Sequence, residues 1–369
     1  MKEENVNLII DDGSSMIKAC TNKDEEIRIE FPSVVGRTKQ DTFARDMDSY
    51  VGEYAFKKRE YLKLNSPIEK GIITNFDDVE KIWQHTFYNE FKVSPEEHHV
   101  LLSGVCWDSK KNRELTTQIL FETFNVPFLY LAHQSSLSLY ASGATSGISF
   151  QSGDQVTSSV AVYSGHTIID SLTLIEDFSG SQITLNFQRI LAERGYAFAT
   201  YEERNILRDI KEKLCYVADD FDQEMKKSLI ELDKKYKLPD GNILSFGNEL
   251  FRAVEPFFRQ ELFYLKISLP ASILLTHSKN DSGLLNSCFR NIYLSGCTTL
   301  FPGMKERIER EVNRFEKSGN DFKVFPSPNK HSVCLGGAIF SSLSTFEKMS
   351  IASDEYDEYG PSNVHNKCF

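Results

Sequence analysis

Val6-Asn7-Leu8-Ile9-Ile10-Asp11-Asp12-Gly13-Ser14-Ser15-Met16-Ile17-Lys18-Ala19-Cys20 runs from an apolar segment, through a tip of acidic and small residues, into a second apolar segment. That order predicts a β-hairpin. A related pattern returns at Ile148-Ser149-Phe150, with the tip Gln151-Ser152-Gly153-Asp154-Gln155 and a second strand over 156–163. Two copies of one supersecondary unit predict two related domains. Small residues at a tip expose backbone N–H groups, and two such tips facing each other can clamp a polyphosphate. Ser14 and Ser15 add hydroxyl donors, while Asp11 and Asp154 offer carboxylates to a hydrated Mg²⁺. Gly296, followed by Thr298 and Thr299, makes a third loop that admits close approach. Each loop alone reads equally as a plain β-turn.

Working outward, the chain has 369 residues, enough for roughly two domains. It carries 42 Lys+Arg against 53 Asp+Glu, a formal charge of −11. With 26% charged and 40% hydrophobic residues it suits a soluble globular protein. The acidic balance argues against a general nucleic-acid binder. No stretch approaches the ~18 apolar residues of a membrane span. The start, Met1-Lys2-Glu3-Glu4-Asn5, leads straight into the first strand and predicts no signal peptide. Seven scattered cysteines without a C-x-x-C predict reduced thiols in the cytosol or nucleus.

A third strand is expected over 26–31, and helices over 77–91, 113–124 and 134–143. Thr200 and Glu203 have capping-box spacing ahead of a helix over 200–217. Further helices are expected over 248–258, 282–289 and 302–315, with a strand over 291–295. Val333-Cys334-Leu335 leads into Gly336-Gly337 and a helix reaching Phe346; the tail after Ser350 reads as polar and acidic. The alternating charges over 226–237 read as a solvated face, and Lys211-Glu212 as a surface pair. There is no Walker A loop, no G-x-G-x-x-G, no H-E-x-x-H and no G-x-S-x-G. Glu97-His98-His99 lacks a ligand partner at i+4 and reads as a solvated loop.

Longer stretches are more specific. Phe31-Pro32-Ser33-Val34-Val35-Gly36-Arg37, Pro67-Ile68-Glu69-Lys70-Gly71-Ile72-Ile73-Thr74-Asn75, Glu80-Lys81-Ile82-Trp83, Leu137-Ser138-Leu139-Tyr140-Ala141-Ser142-Gly143, Arg208-Asp209-Ile210-Lys211-Glu212-Lys213-Leu214-Cys215-Tyr216 and the closing Lys367-Cys368-Phe369 together resemble the actin family over nearly the whole chain. The resemblance implies an α/β, actin-like ATPase fold: duplicated ribonuclease H-like domains around a nucleotide cleft. It implies a large subdomain from 1–32, 67–141 and 332–369, and a small one from 33–66. The second half follows as a large subdomain from 142–178 and 268–331, and a small one from 179–267.

It further implies ATP or ADP with Mg²⁺ (or Ca²⁺) as cofactors. Asp11, Gly13, Ser14, Ser15 and Lys18 of the first loop, and Gly153, Asp154 and Gln155 of the second, then face the phosphates. Lys211 and Glu212 become nucleotide contacts, and Gly296, Phe301 and Lys330 surround the adenosine. Gln134 matches the glutamine that positions the attacking water. Tyr140, Ala141, Gly143, Thr145, Phe340, Leu343, Thr345 and Met349 match a cleft that takes short amphipathic helices. Implied partners are actin-type subunits, self or conventional, and actin-binding proteins, in a cytoplasmic, cytoskeletal or nuclear setting. A sugar-kinase or chaperone-type enzyme of the same superfamily is disfavoured, because no substrate domain is inserted.

The departures are as specific. Gln151 stands where the family has a carboxylate, and Ser158 where it has a histidine. An amide cannot accept a proton, and it holds cation-bound water less strongly. Asp12 adds charge expected to repel phosphate. Ser15, Gln155 and Cys297 each replace a glycine and are expected to narrow the site. Hydrolysis is therefore expected to be slow or absent. The segment 38–48, with only Phe43 and Met47 as large apolar residues, is short for a filament-contact loop. The apolar segment 264–270 matches an inter-strand plug. Glu3 and Glu4 make a weaker acidic start than the family's, which implies weaker motor binding.

Overall fold

The computed structural model describes residues 6–24, 27–38, 49–262, 266–280, 288–315 and 321–368. The expectations placed on Glu3, Glu4, Phe43, Met47, most of 38–48, and residues 264–265 and 282–287 lie outside them. The chain divides into two units: Met1–Ser146 with Val162–Ile169 and His331–Phe369, and Gly147–Ala161 with Asp170–Lys330.

The first hairpin is present. Strands Asn7–Asp12 and Met16–Thr21 pair antiparallel, with Asp11 opposite Lys18 and Asp12 opposite Ile17. Ile29–Pro32 continues the sheet antiparallel; residues 27–28 of the expected strand stand outside it, and residue 26 lies outside the described residues. On the other side His99–Gly104 and Phe128–His133 add in parallel. Leu8, Ile9, Ile10, Val100 and Leu101 are wholly buried. Such continuous apolar runs are what a sheet covered on both faces requires.

The second sheet runs His166–Ile175, Thr157–Tyr163, Gly147–Ser152, Asn291–Ser295, Lys323–Phe325. Its order repeats that of the first: third strand, second hairpin strand, first hairpin strand, then two strands added in parallel. The hairpin repeat thus extends to a whole sheet. The strand His166–Ile175 was not expected, because exposed polar residues at its start hide the alternation.

Helix boundaries follow caps. Asn75 accepts from Asp78 N and starts Phe76–Gln84. The expected single helix 77–91 continues as a wider π-turn over His85–Phe91, stopped by Lys92 in the left-handed region. Thr200 and Glu203 form the capping box of Tyr201–Leu214. That helix ends three residues before the expected Val217, whose N–H instead donates to Pro302 O at 2.8 Å. The expected helix 248–258 is a short Glu249–Arg252 and a 3-10 turn, Glu255–Phe257.

The tail after Ser350 is structured. Ile351–Ala352 pairs with Phe128–Leu129, and Tyr356 stacks on Phe121 at 4.6 Å. The charged stretch at 226–237 is mostly exposed, yet Leu232 is buried and Lys234–Lys237 pairs with Ile243–Phe246. His99 is buried at the start of a sheet strand rather than in a solvated loop, and burial lowers its pKa. Among the described residues no helix is long and apolar enough to cross a membrane.

Candidate functional site

In the first unit, strand alternation sends Asp11 and Asp12 to opposite faces. Asp11 Oδ1 accepts from Ser103 Oγ at 2.5 Å and from Gln134 Nε2 at 2.9 Å. Lys18 lies directly across the hairpin from Asp11. Gln134 opens the helix Gln134–Ala141, so backbone and side chain both fix its amide. The tip is tied to its neighbours: Gly71 N donates to Ser14 Oγ at 2.8 Å, and Ser33 N to Ser15 O at 3.0 Å. A Cβ at Gly13 would run into the Met16 carbonyl, so this turn requires glycine.

Asp12 corrects an expectation. It is buried and accepts from Trp83 Nε1 at 2.9 Å. Burial pushes its carboxyl up to about 7, opposed by the Trp83 hydrogen bond and reinforced by Asp11. It belongs to the core beside Trp83, and does not stand as a fixed charge among the donors of the tip. Ser15 lies outside the left-handed region, as does Gln155. The added Cβ therefore strains neither backbone.

In the second unit, Gly153 N closes the tip onto Val156 O at 3.0 Å. The helix Gly180–Glu193 spends its first amides on this loop: Gly180 N donates to Gly153 O and Ser181 N to Asp154 O. Thr298 Oγ1 also donates to Gly153 O, at 3.0 Å, so the third loop is fastened to the second. Gly296, at φ +86°, packs where a Cβ would strike the Ser152 backbone. Cys297 is exposed, and its neighbour Thr298 reaches the second loop.

Lys211 is buried, and its Nζ donates to Gly180 O at 3.0 Å. Burial lowers its pKa, against the raising influence of Asp154 and Glu212. It is no surface residue, whereas its neighbour Glu212 is exposed. Arg208 stands 3.8 Å from the Asp154 carboxylate. Arg208 was overlooked in the sequence, although it precedes Lys211 by three positions and so shares its helix face. Ser103 and Gly180 carried no sequence signal. Gln151 lies half-buried near the end of its strand, opposite Ser295, and Ser158 is buried in the next strand. Phe301 is buried; Lys330 is exposed in the turn before Ser332. Phe301 caps the short 3-10 turn Cys297–Leu300, directly after Thr298 and Thr299 of the third loop.

The partner-cleft residues all fall in the first unit. A Cβ at Gly336 would collide with the Leu137 carbonyl, so the helices Gln134–Ala141 and Ser332–Ser341 meet backbone to backbone. Tyr140 stacks on Phe340 at 5.5 Å with 2° between the rings. Phe340 is thereby spent on packing. Leu343 (50% exposed) and Ile339 (45%) are open. Ile339 was missed, although it precedes Leu343 by four. Gly143 reverses the chain at φ +72°, Thr145 O accepts from Gly165 N at 2.7 Å, exposed Thr345 precedes the short helix Phe346–Met349, and Met349 is partly buried on the core.

Two units, each with a sheet that runs third strand, second hairpin strand, first hairpin strand and then two parallel strands, and each with a small-residue hairpin tip, define a duplicated α/β protein. The family model for Actin matches residues 2–369, and the chain belongs to the actin family.

Proposed function

We propose that the chain is an actin-like cytoskeletal protein that binds ATP or ADP with Mg²⁺ (or Ca²⁺), and that forms or joins actin-type filaments while hydrolysing slowly or not at all. The observation that carries this reading is the constellation Asp11, Ser103 and Gln134, together with a glycine at position 13 that a Cβ would not fit. Its donor set suits a hydrated hard cation: oxygen ligands, one carboxylate, held in place by neutral partners. Asp11 and Asp154 would hold the cation through its waters, and Mg²⁺ when bound would offset phosphate charge.

The remaining chemistry belongs to the side chains. Gln134 uses its N–H on Asp11, which leaves its carbonyl oxygen to accept from a water. Gln151 can orient a water but cannot take its proton, and Ser158 offers no imidazole. Water is held without a base, which accounts for slow turnover. The phosphate contacts are assigned to Gly13, Ser14, Ser15, Lys18, Gly153 and Gln155. Lys211 and Glu212 are assigned to the nucleotide, and Gly296, Phe301 and Lys330 to its adenosine, within the four-subdomain division given above. The open apolar pair Ile339 and Leu343 suits an amphipathic helix of an actin-binding protein. Cytoplasm or nucleus fits this role.

A second reading, a non-polymerising actin-related subunit or filament cap, is favoured by the short segment 38–48. Sedimentation and electron microscopy of the pure protein, with and without Mg-ATP, separate the two. Regular two-stranded filaments eliminate the cap. Nucleotide released on denaturing fresh protein tests the first reading directly, and absence of any adenine nucleotide, bound or bindable, would overturn it.

A further inference from the structure

Two cysteines far apart in sequence meet inside the first unit. Cys20 lies on Met16–Thr21, the second strand of the first hairpin, and Cys334 on the helix Ser332–Ser341. Cys20 Sγ reaches the carbonyl oxygen of Cys334 at 3.9 Å, and Cys334 Sγ reaches the carbonyl oxygen of Lys18 at 3.6 Å. The two contacts are reciprocal, each sulfur resting on the backbone of the segment that carries the other. Both are free and buried, at 3% and 0% exposure. Cys20 Sγ lies against residue 334 itself, and Cys334 Sγ against a residue two positions before Cys20, which places both thiols in one neighbourhood.

We propose that Cys20 and Cys334 form a redox-responsive dithiol that closes to a disulfide, stapling the phosphate-side hairpin to the groove helix. This inference goes beyond the proposed nucleotide and filament roles and does not depend on them. The oxidant is hydrogen peroxide, the smallest of the peroxides. One sulfur, as thiolate, attacks the O–O bond and becomes a sulfenic acid, and the leaving hydroxide takes up the released proton to give water. The second sulfur then attacks the sulfenic sulfur, and a second water leaves with the remaining proton. Two thiols and one peroxide thus give one S–S bond and two waters.

Hydrogen bonding to Cys20, and then burial, keep the Cys334 thiol protonated, its pKa well above the usual value. Thiolate is the reacting form, so the resting dithiol is inert. Closure therefore waits on a moment when the helix lifts from the strand. Cys297, exposed, would react first and is removed in the test.

The test uses full-length protein carrying Cys297→Ser, treated with hydrogen peroxide, alkylated after denaturation, and mapped without reduction. The expected result is a Cys20–Cys334 cross-linked peptide with a mass about 2 Da below the two free peptides. Dithiothreitol should reverse it, and the oxidised protein should melt higher than the reduced one. Cys334→Ser and, separately, Cys20→Ser should each abolish the cross-link, so either variant suffices if the other fails to fold. Alkylation of both cysteines as free thiols after treatment, or cross-linking of either to a different cysteine, would overturn the proposal.

Discussion

The indole N–H of Trp83 donates to Asp12 at 2.9 Å, holding a carboxyl group in the core one residue from Asp11, which faces the other way. A carboxyl with a folded pKa of about 7, against an ordinary 3.8, keeps its proton where the unfolded chain has lost it. Its stabilising effect is complete below about pH 4 and is lost as pH rises to about 7, at about 1 kcal/mol per pH unit. Asp12→Asn removes this slope. Denaturant unfolding at pH 5, 6, 7 and 8 should show wild type losing stability relative to the variant up to neutrality; parallel curves would contradict it.

Arg307 and Glu255 form a buried pair at 3.1 Å, and Arg307 also donates to Ala218 O at 2.7 Å. Deleting Arg307 leaves the buried Glu255 with only Arg259, at 3.3 Å, and breaking such a buried pair typically costs about 3–5 kcal/mol. Arg307→Ala should lower the denaturation midpoint accordingly. A loss below about 1 kcal/mol, the range of exposed pairs, would mean the pair is solvated.

Gly336→Ala places a methyl group on the Leu137 carbonyl. Helix propensity alone predicts a gain of about 1 kcal/mol; overpacking predicts a loss of about 1–3 kcal/mol or more. The clash should win. Thermal melting gives the sign, and stabilisation would show that the two helices slide apart freely.

Gln151→Asp combined with Ser158→His restores a carboxylate and an imidazole. Proton transfer typically contributes 10²–10⁴-fold, so single-turnover phosphate release should rise by about 100-fold. An unchanged rate would place the block elsewhere, and an already fast wild type would refute slow hydrolysis.

Leu343→Asp puts charge on the open apolar pair without touching the Tyr140–Phe340 stack. Binding of an amphipathic helical peptide should weaken about tenfold, as for a lost apolar anchor of ~1.4 kcal/mol. Equal affinity, read by fluorescence anisotropy, would exclude this surface.

The hairpins were legible because an apolar–small–apolar order leaves few alternatives, and Thr200 with Glu203 fixed a helix start outright. What sequence hid was burial. Asp12 reads as a charge facing phosphate and Lys211, by its local pattern, as a surface residue, since nothing local reveals Trp83 or the Gly180 carbonyl, 71 and 31 positions away. Helix ends were misjudged where a distant backbone partner took over, as Pro302 does for Val217. The folded tail was missed because Tyr356 stands among acidic residues that mask its anchoring role.

The helix Gln134–Ala141 spans only 8 residues, about 12 Å. One end carries the Gln134 amide on Asp11, and the other carries Tyr140 on Phe340. Midway, Leu137 bears directly on Gly336. Two turns of helix thus carry three anchored points, and a substitution at Gly336 or Tyr140 acts on the same short element that presents the Gln134 amide.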